Sequence, residues 1–160
     1  MGMYTTLKLE APLSPEGRIV IEALHRSMAG SDQNIWIGAA ILGDSEDTVS
    51  PQVLAAMRKW SQVGRSNFIP NGMVTYHSSW GTENVNTVDE NGVWHVLCSL
   101  KNYEGEIETF LETLLPCLIS RPTIAQSWYE EDEEPTALAV VPLGWHEPIP
   151  DFDPPGNLCD

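Results

Sequence analysis

The chain has 160 residues, 42% of them hydrophobic and six of them Trp, and its 23 acidic against 8 basic side chains give a net charge of −15. This length and apolar content suit one domain with a proper core and exclude a disordered chain, while no apolar run reaches the ~18 to 20 residues of a membrane span. The charge is lopsided, with six basic and seven acidic side chains in residues 1–80 against two and sixteen in residues 81–160, and a polyanion of that kind is repelled by phosphate backbones and anionic lipid.

Tyr4 to Glu10 alternates Tyr4, Thr6, Lys8 and Glu10 against Thr5, Leu7 and Leu9, the period of a strand with one buried face. Ser14-Pro15-Glu16 is a helix start, a hydroxyl cap followed by a Pro whose missing N–H costs nothing there. Ile19, Val20, Ala23, Leu24, Ser27 and Met28 form its apolar stripe, and Gly30 stops it. Ile35 to Leu42 is apolar throughout, and its periodicity does not separate a buried strand from a helical turn. Ser50-Pro51 repeats the helix start, and Val53, Leu54, Met57 and Trp60 form the next stripe. Residues 31–71 therefore read as an elaboration carrying one extra helix.

Met73 to Trp80 alternates as a strand, and polar Gly81 to Asn91 reads as a long link to the next strand. Gly92 to Ser99 alternates Trp94, Val96 and Cys98 against Val93, His95 and Leu97, apolar on both sides and so central. Asn102 caps a helix with carboxylates in its first turn; Ile107, Phe110, Leu111 and Leu114 face inward and Glu104, Glu108 and Glu112 outward. Ile124 to Tyr129 and Thr136 to Val141 are strands joined by the solvated turn Glu130-Glu131-Asp132-Glu133-Glu134-Pro135. After Gly144 the chain is an acidic, Pro-rich extended tail. The expected fold is α+β, one domain over residues 1–143 followed by the tail 144–160. Its sheet is mostly antiparallel with helices on one face, in a ferredoxin-like βαββαβ order with an inserted helix and an extra edge strand.

The three cysteines, Cys98, Cys117 and Cys159, are odd in number and lack paired spacing, which reads as free thiols in a reducing compartment. No basic start followed by an apolar core opens the chain, so a cytoplasmic location is expected.

Candidate chemistry is sparse. His77-Ser78-Ser79-Trp80 matches the His-x-Ser motif of two-histidine phosphoesterases, in which each His–hydroxyl pair handles a proton or a phosphate oxygen. The second motif would be His95-Val96-Leu97, where Leu97 stands in place of the hydroxyl. The alternative reading is thus a small-molecule or nucleotide site on the sheet, either sequestering or catalytic in the manner of a phosphoesterase, at His77, Ser79 and His95. His95 and Cys98 look like metal spacing, but residues three apart on a strand face opposite sides. The 130–134 turn lacks the Asp/Asn/Gly alternation of a calcium loop. No metal, cofactor or phosphate loop is expected.

The acidic surface remains. Glu104, Glu108, Glu112, Glu130, Glu131, Asp132, Glu133 and Glu134, with Trp128 and Tyr129 as aromatic anchors, form the expected partner-binding set. Crowded carboxylates repel one another, and a cationic partner would relieve that cost and be steered in. The same charge also serves plain solubility.

Leu100-Lys101-Asn102-Tyr103, Glu106-Ile107, Phe110-Leu111, Tyr129-Glu130-Glu131-Asp132 and Pro135-Thr136 together resemble a pattern in small acidic phage and bacterial proteins. The resemblance covers Leu100 to Thr136, and its residues are caps, core positions and turns, so it implies a fold and no activity. A phage or mobile-element origin would suit a non-enzymatic inhibitor of a basic host protein that handles nucleic acid or defends the cell. It would equally suit an immunity protein covering a basic toxin.

Overall fold

The computed structural model describes residues 3–28, 35–45, 49–64, 66–72 and 77–148. Five antiparallel strands form one sheet: β1 (Thr5–Pro12), β2 (Val85–Val88), β3 (Val93–Leu100), β4 (Thr123–Tyr129) and β5 (Thr136–Val140), in the order β2-β3-β1-β4-β5. β1 and β3 are central because both faces of each are covered for much of their length. Leu7, Leu9 and Ala11 of β1 register against Cys98, Val96 and Trp94 of β3 and point to the same face, where all six are buried. The protein is an α+β domain, as the alternation of apolar residues predicts.

The helices supply the lid for that face. α1 (Pro15–Met28) starts where Ser14 Oγ accepts from Gly17 N at 3.0 Å. Gly17 is required by close approach, since a Cβ there would stand 2.0 Å from the Leu118 carbonyl oxygen. α2 (Ile35–Ser45) resolves the ambiguous apolar run as a helix, burying Trp36, Ala39 and Ala40. α3 (Pro51–Ser61) is capped by Ser50 Oγ, which accepts from Val53 N at 3.3 Å, and buries Val53, Leu54, Met57 and Trp60 as the stripe predicts. A short segment, α4 (Phe68–Asn71), follows. The stretch 31–71 thus holds two full helices, α2 and α3, where the sequence reading had one. A run of small and apolar residues buried on several sides has no amphipathic period to announce its helix.

α5 (Glu106–Thr109) runs on through a π turn, Phe110–Leu114, and a 3₁₀ turn, Leu115–Cys117. It begins later than the carboxylate spacing suggests. Gly105 sits at φ +72°, a left-handed conformation that breaks the backbone between Glu104 and the helix. Glu104 is therefore not on the face of Glu108 and Glu112. Phe110 is the centre of the core: Trp36, Trp60 and Trp94, from α2, α3 and β3, lie 6.0, 5.5 and 6.3 Å from its ring. Tilted and edge-on pairs of this kind add ~0.5 to 1.5 kcal/mol each beyond the area they bury.

The expected strand 73–80 is not seen in its described part. Residues 73–76 lie outside the described part, and Ser78–Trp80 is a 3₁₀ turn. The partner of β3 is instead β2, from within the stretch read as a polar link, and the loop between them is the short turn Asp89 to Gly92. Asn86 explains the choice: its side-chain oxygen accepts from Trp94 Nε1 at 2.7 Å and faces His25 Nε2 of α1 at 2.9 Å. A polar side chain inside the helix-covered face is satisfied there, so polarity no longer argues for a loop.

Ahead of β2 in the chain, Gly72 packs against the backbone of β3. A Cβ on Gly72 would stand 2.2 Å from the Ser99 carbonyl oxygen. His77 and Trp80 then lie on the second face of the sheet, against Trp128. This covers one half of that face and buries Thr6 and Ser99, whose hydroxyls bond at 2.7 Å. The other half, around Lys8, Glu10 and Gln126, lines an open groove of about 570 Å³.

Candidate functional site

Two distant acidic segments meet at one end of the sheet. On the α5 side, Asn102 Oδ1 accepts from Ile107 N at 2.7 Å, and its amide donates to Glu108 Oε1 at 2.8 Å. The cap that the sequence predicts therefore also aims Glu108. Glu106 is fully buried and accepts from Glu104 N at 2.9 Å. On the β4 side, Glu130 N donates to the Tyr4 carbonyl at 3.0 Å while Tyr4 N donates to the Glu130 carboxylate. Trp128 Nε1 donates to the Asp132 carbonyl at 2.9 Å, and Asp132 N to the Tyr129 carbonyl at 3.0 Å. Together these bonds hold the turn's backbone against the sheet.

Between the two segments lies a notch of about 350 Å³, lined by Tyr103, Glu108, Tyr129 and Asp132 together with Met3 and Thr136. Tyr103 is 55% exposed, and its hydroxyl accepts from Met3 N at 2.8 Å. Desolvation pushes the Tyr129 phenol above its ordinary range, reinforced by Glu131, Glu130, Tyr103 and Asp132. Among the described residues, none of Glu104, Glu108, Glu112 and the 130–134 carboxylates pairs with a Lys or Arg within 4 Å. The nearest basic residue in sequence, Lys101, rests over the Tyr4 ring at 5.7 Å.

Not all of the expected binding set converges. Glu108 and Asp132 line the notch, and Glu131, Glu133 and Glu134 are exposed on the turn beside it. Glu112 is exposed a turn further along the helix, and Glu104 leans toward Gly64. Trp128 is not a free anchor. Its ring stacks on His77 at 3.7 Å and 5° and meets Trp80 edge-on at 5.0 Å, so it pins the covering segment to the sheet.

The histidines are not brought together. His77 lies over Trp128, at the level where Trp128 pairs with Thr6, and its Nε2 is 3.3 Å from the Tyr129 carbonyl. His95 pairs with Glu10, four residues further along β1, which is about 13 Å away along the strand. Ser79 is exposed. His95 instead sits between two carboxylates, Nε2 at 2.9 Å from Asp89 and Nδ1 at 3.5 Å from Glu10. The other Asp89 oxygen accepts from Asn91 N at 2.8 Å and Val93 N at 3.1 Å, closing the β2–β3 turn. The bond from His95 and then that from Val93 hold the Asp89 carboxyl below its ordinary range. His95 thus serves to tie a turn.

Cys98 is fully buried, and desolvation pushes its thiol up to about 12, so no thiolate nucleophile forms there near neutral pH. Among the described residues no three His, Cys, Asp or Glu side chains are placed to hold a metal ion, and no helix is long and apolar enough to cross a membrane. The open groove beside Lys8 and Arg121 was not foreseen, although the alternation Thr6-Lys8-Glu10 already placed charge on one face of β1.

No family model, no curated protein and no solved structure matches the chain.

Proposed function

We propose that the protein is a non-enzymatic binding protein whose acidic end docks on a basic surface of a partner, of the kind that partner otherwise offers to nucleic acid. One observation carries this reading: Glu108 and Asp132, from segments far apart in sequence, share a tyrosine-lined notch without a Lys or Arg partner among the described residues. Carboxylates gathered in this way repel one another, and a Lys or Arg side chain entering between the two tyrosines would gain charge-assisted hydrogen bonds and ring contact together. The exposed carboxylates of the turn would add steering from a distance. The separation of His77 from His95 argues against the two-histidine catalytic alternative. As an inhibitor encoded by a phage or mobile element, such a protein would occupy the nucleic-acid site of a host or defence protein. An immunity protein would use the same surface against a basic toxin.

The test is capture of basic proteins from a host lysate, with the partner then identified and its nucleic-acid binding assayed. Retention should fall sharply between about 0.05 and 0.5 M salt, because screening shortens the reach of surface charge. A Glu108→Gln/Asp132→Asn variant should capture less at every salt concentration, and the wild type should compete with duplex DNA for the partner. Salt-insensitive capture, equal in wild type and variant, would remove the proposal.

A further inference from the structure

The two edges of the sheet differ. β2 is four residues long, lies between Glu83 and Asp89, and is tied to α1 through Asn86 and His25. Short length and flanking charge are the usual protections of an edge. β5 has neither. Its sequence, Thr-Ala-Leu-Ala-Val, holds no charge and no proline, and it extends for five residues, or about 17 Å.

The phase of the ladder shows which backbone groups are open. Glu130 N donates to the Tyr4 carbonyl, so even-numbered residues of β4 bond to β1 and odd-numbered residues bond to β5. By the β4–β5 register, Thr136, Leu138 and Val140 use their backbone groups on Ser127, Ala125 and Thr123. Ala137 and Ala139 point their N–H and C=O groups away from the sheet, and among the described residues no backbone group bonds to them from outside. Their methyl side chains leave room for a neighbour.

We infer that β5 is a docking edge that adds an extended segment of a basic partner as a sixth strand, pairing through Ala137 and Ala139. The inference rests on the acidic-binding reading and deepens it. Only Pro135 separates β5 from the 130–134 turn, so a segment laid antiparallel along β5 brings its C-terminal end beside those carboxylates. Backbone pairing provides a docking mode indifferent to most side chains, and lysines or arginines at that end provide the selection. A second copy of this chain is the poorer occupant, because each copy carries −15 and the two would repel.

The probe is a synthetic peptide of about ten residues, alternating Val and Thr and ending in a run of lysines. Binding to the full chain is followed by calorimetry. Three changes are compared. Ala139→Pro removes an outward N–H and leaves the β4 ladder intact. A peptide N-methylated at alternate residues removes donors from the probe and leaves the protein unaltered. The variant Glu131→Gln/Asp132→Asn/Glu133→Gln/Glu134→Gln neutralises the turn. Each should weaken binding on the order of tenfold, and moving the lysines to the N-terminal end should weaken it by several-fold. If Ala139→Pro and N-methylation leave affinity unchanged while the neutral turn loses it, the edge is not used and the broader acidic reading stands. If no change matters, or the peptide fails to bind, both fall. A dimer of the wild type that Ala139→Pro abolishes would assign the edge to a second copy and overturn the inference.

Discussion

The two faces of the sheet are built from the same strands by opposite rules. One face carries Leu7, Leu9, Trp94 and Val96 and is sealed by helices around Phe110. The other carries Lys8, Glu10, His95 and Gln126, is only half covered, and holds its polar groups in pairs such as His95 with Asp89. The difference teaches where stability and interaction separate. Burial against helices drives folding. The open face and the acidic end contribute little apolar burial, and so they can carry charge and an unpaired edge that the core could not.

The largest break in that contrast should come from the sealed face. Trp94→Ala would empty the middle of the core and leave the Asn86 oxygen without its 2.7 Å donor. A loss of about 3 to 5 kcal/mol is expected by urea unfolding. Next comes Gly17→Ala, whose added methyl meets the Leu118 carbonyl at 2.0 Å. Forcing α1 away from that backbone should cost about 1 to 3 kcal/mol, read as a lower denaturation midpoint with unchanged m.

On the open face the effect should be smaller and tied to pH. The folded Asp89 carboxyl titrates below its ordinary value of 3.8, held there first by the bond from His95. Its contribution is therefore complete above about pH 4 and is lost as pH falls through the folded value. Asp89→Asn should remove that part of the acid sensitivity while leaving stability near neutral pH less affected, measured by thermal melts from neutral pH downward. The smallest structural effect should come from the neutralised 130–134 turn. Melting should be unchanged or slightly raised in low salt, because repulsion is relieved and no ion pair among the described residues is lost.

Much of this architecture was legible in the residues. The strands at β1, β3, β4 and β5 follow from alternation, and α1 and α3 from their Ser-Pro starts and apolar stripes. Asn102 was legible as a cap, but not Gly105 as a break, because a glycine's φ depends on what surrounds it. β2 was hidden because its central residue is Asn86, a turn former in isolation and a bridge once Trp94 and His25 stand beside it. The acidic candidates were legible by composition, whereas which of them meet was not.

By itself, then, the sequence determined the α+β class, the inward residues of most elements and the sign of the surface, since these depend on local period and on charge. Tertiary structure alone decided that Glu108 and Asp132 share a notch, that His77 and His95 stand apart, and that β5 is left at the edge. Those outcomes depend on strand order and on where His77 and Trp80 pack on the sheet. Both are set by contacts between residues far apart in sequence, which a local pattern does not record.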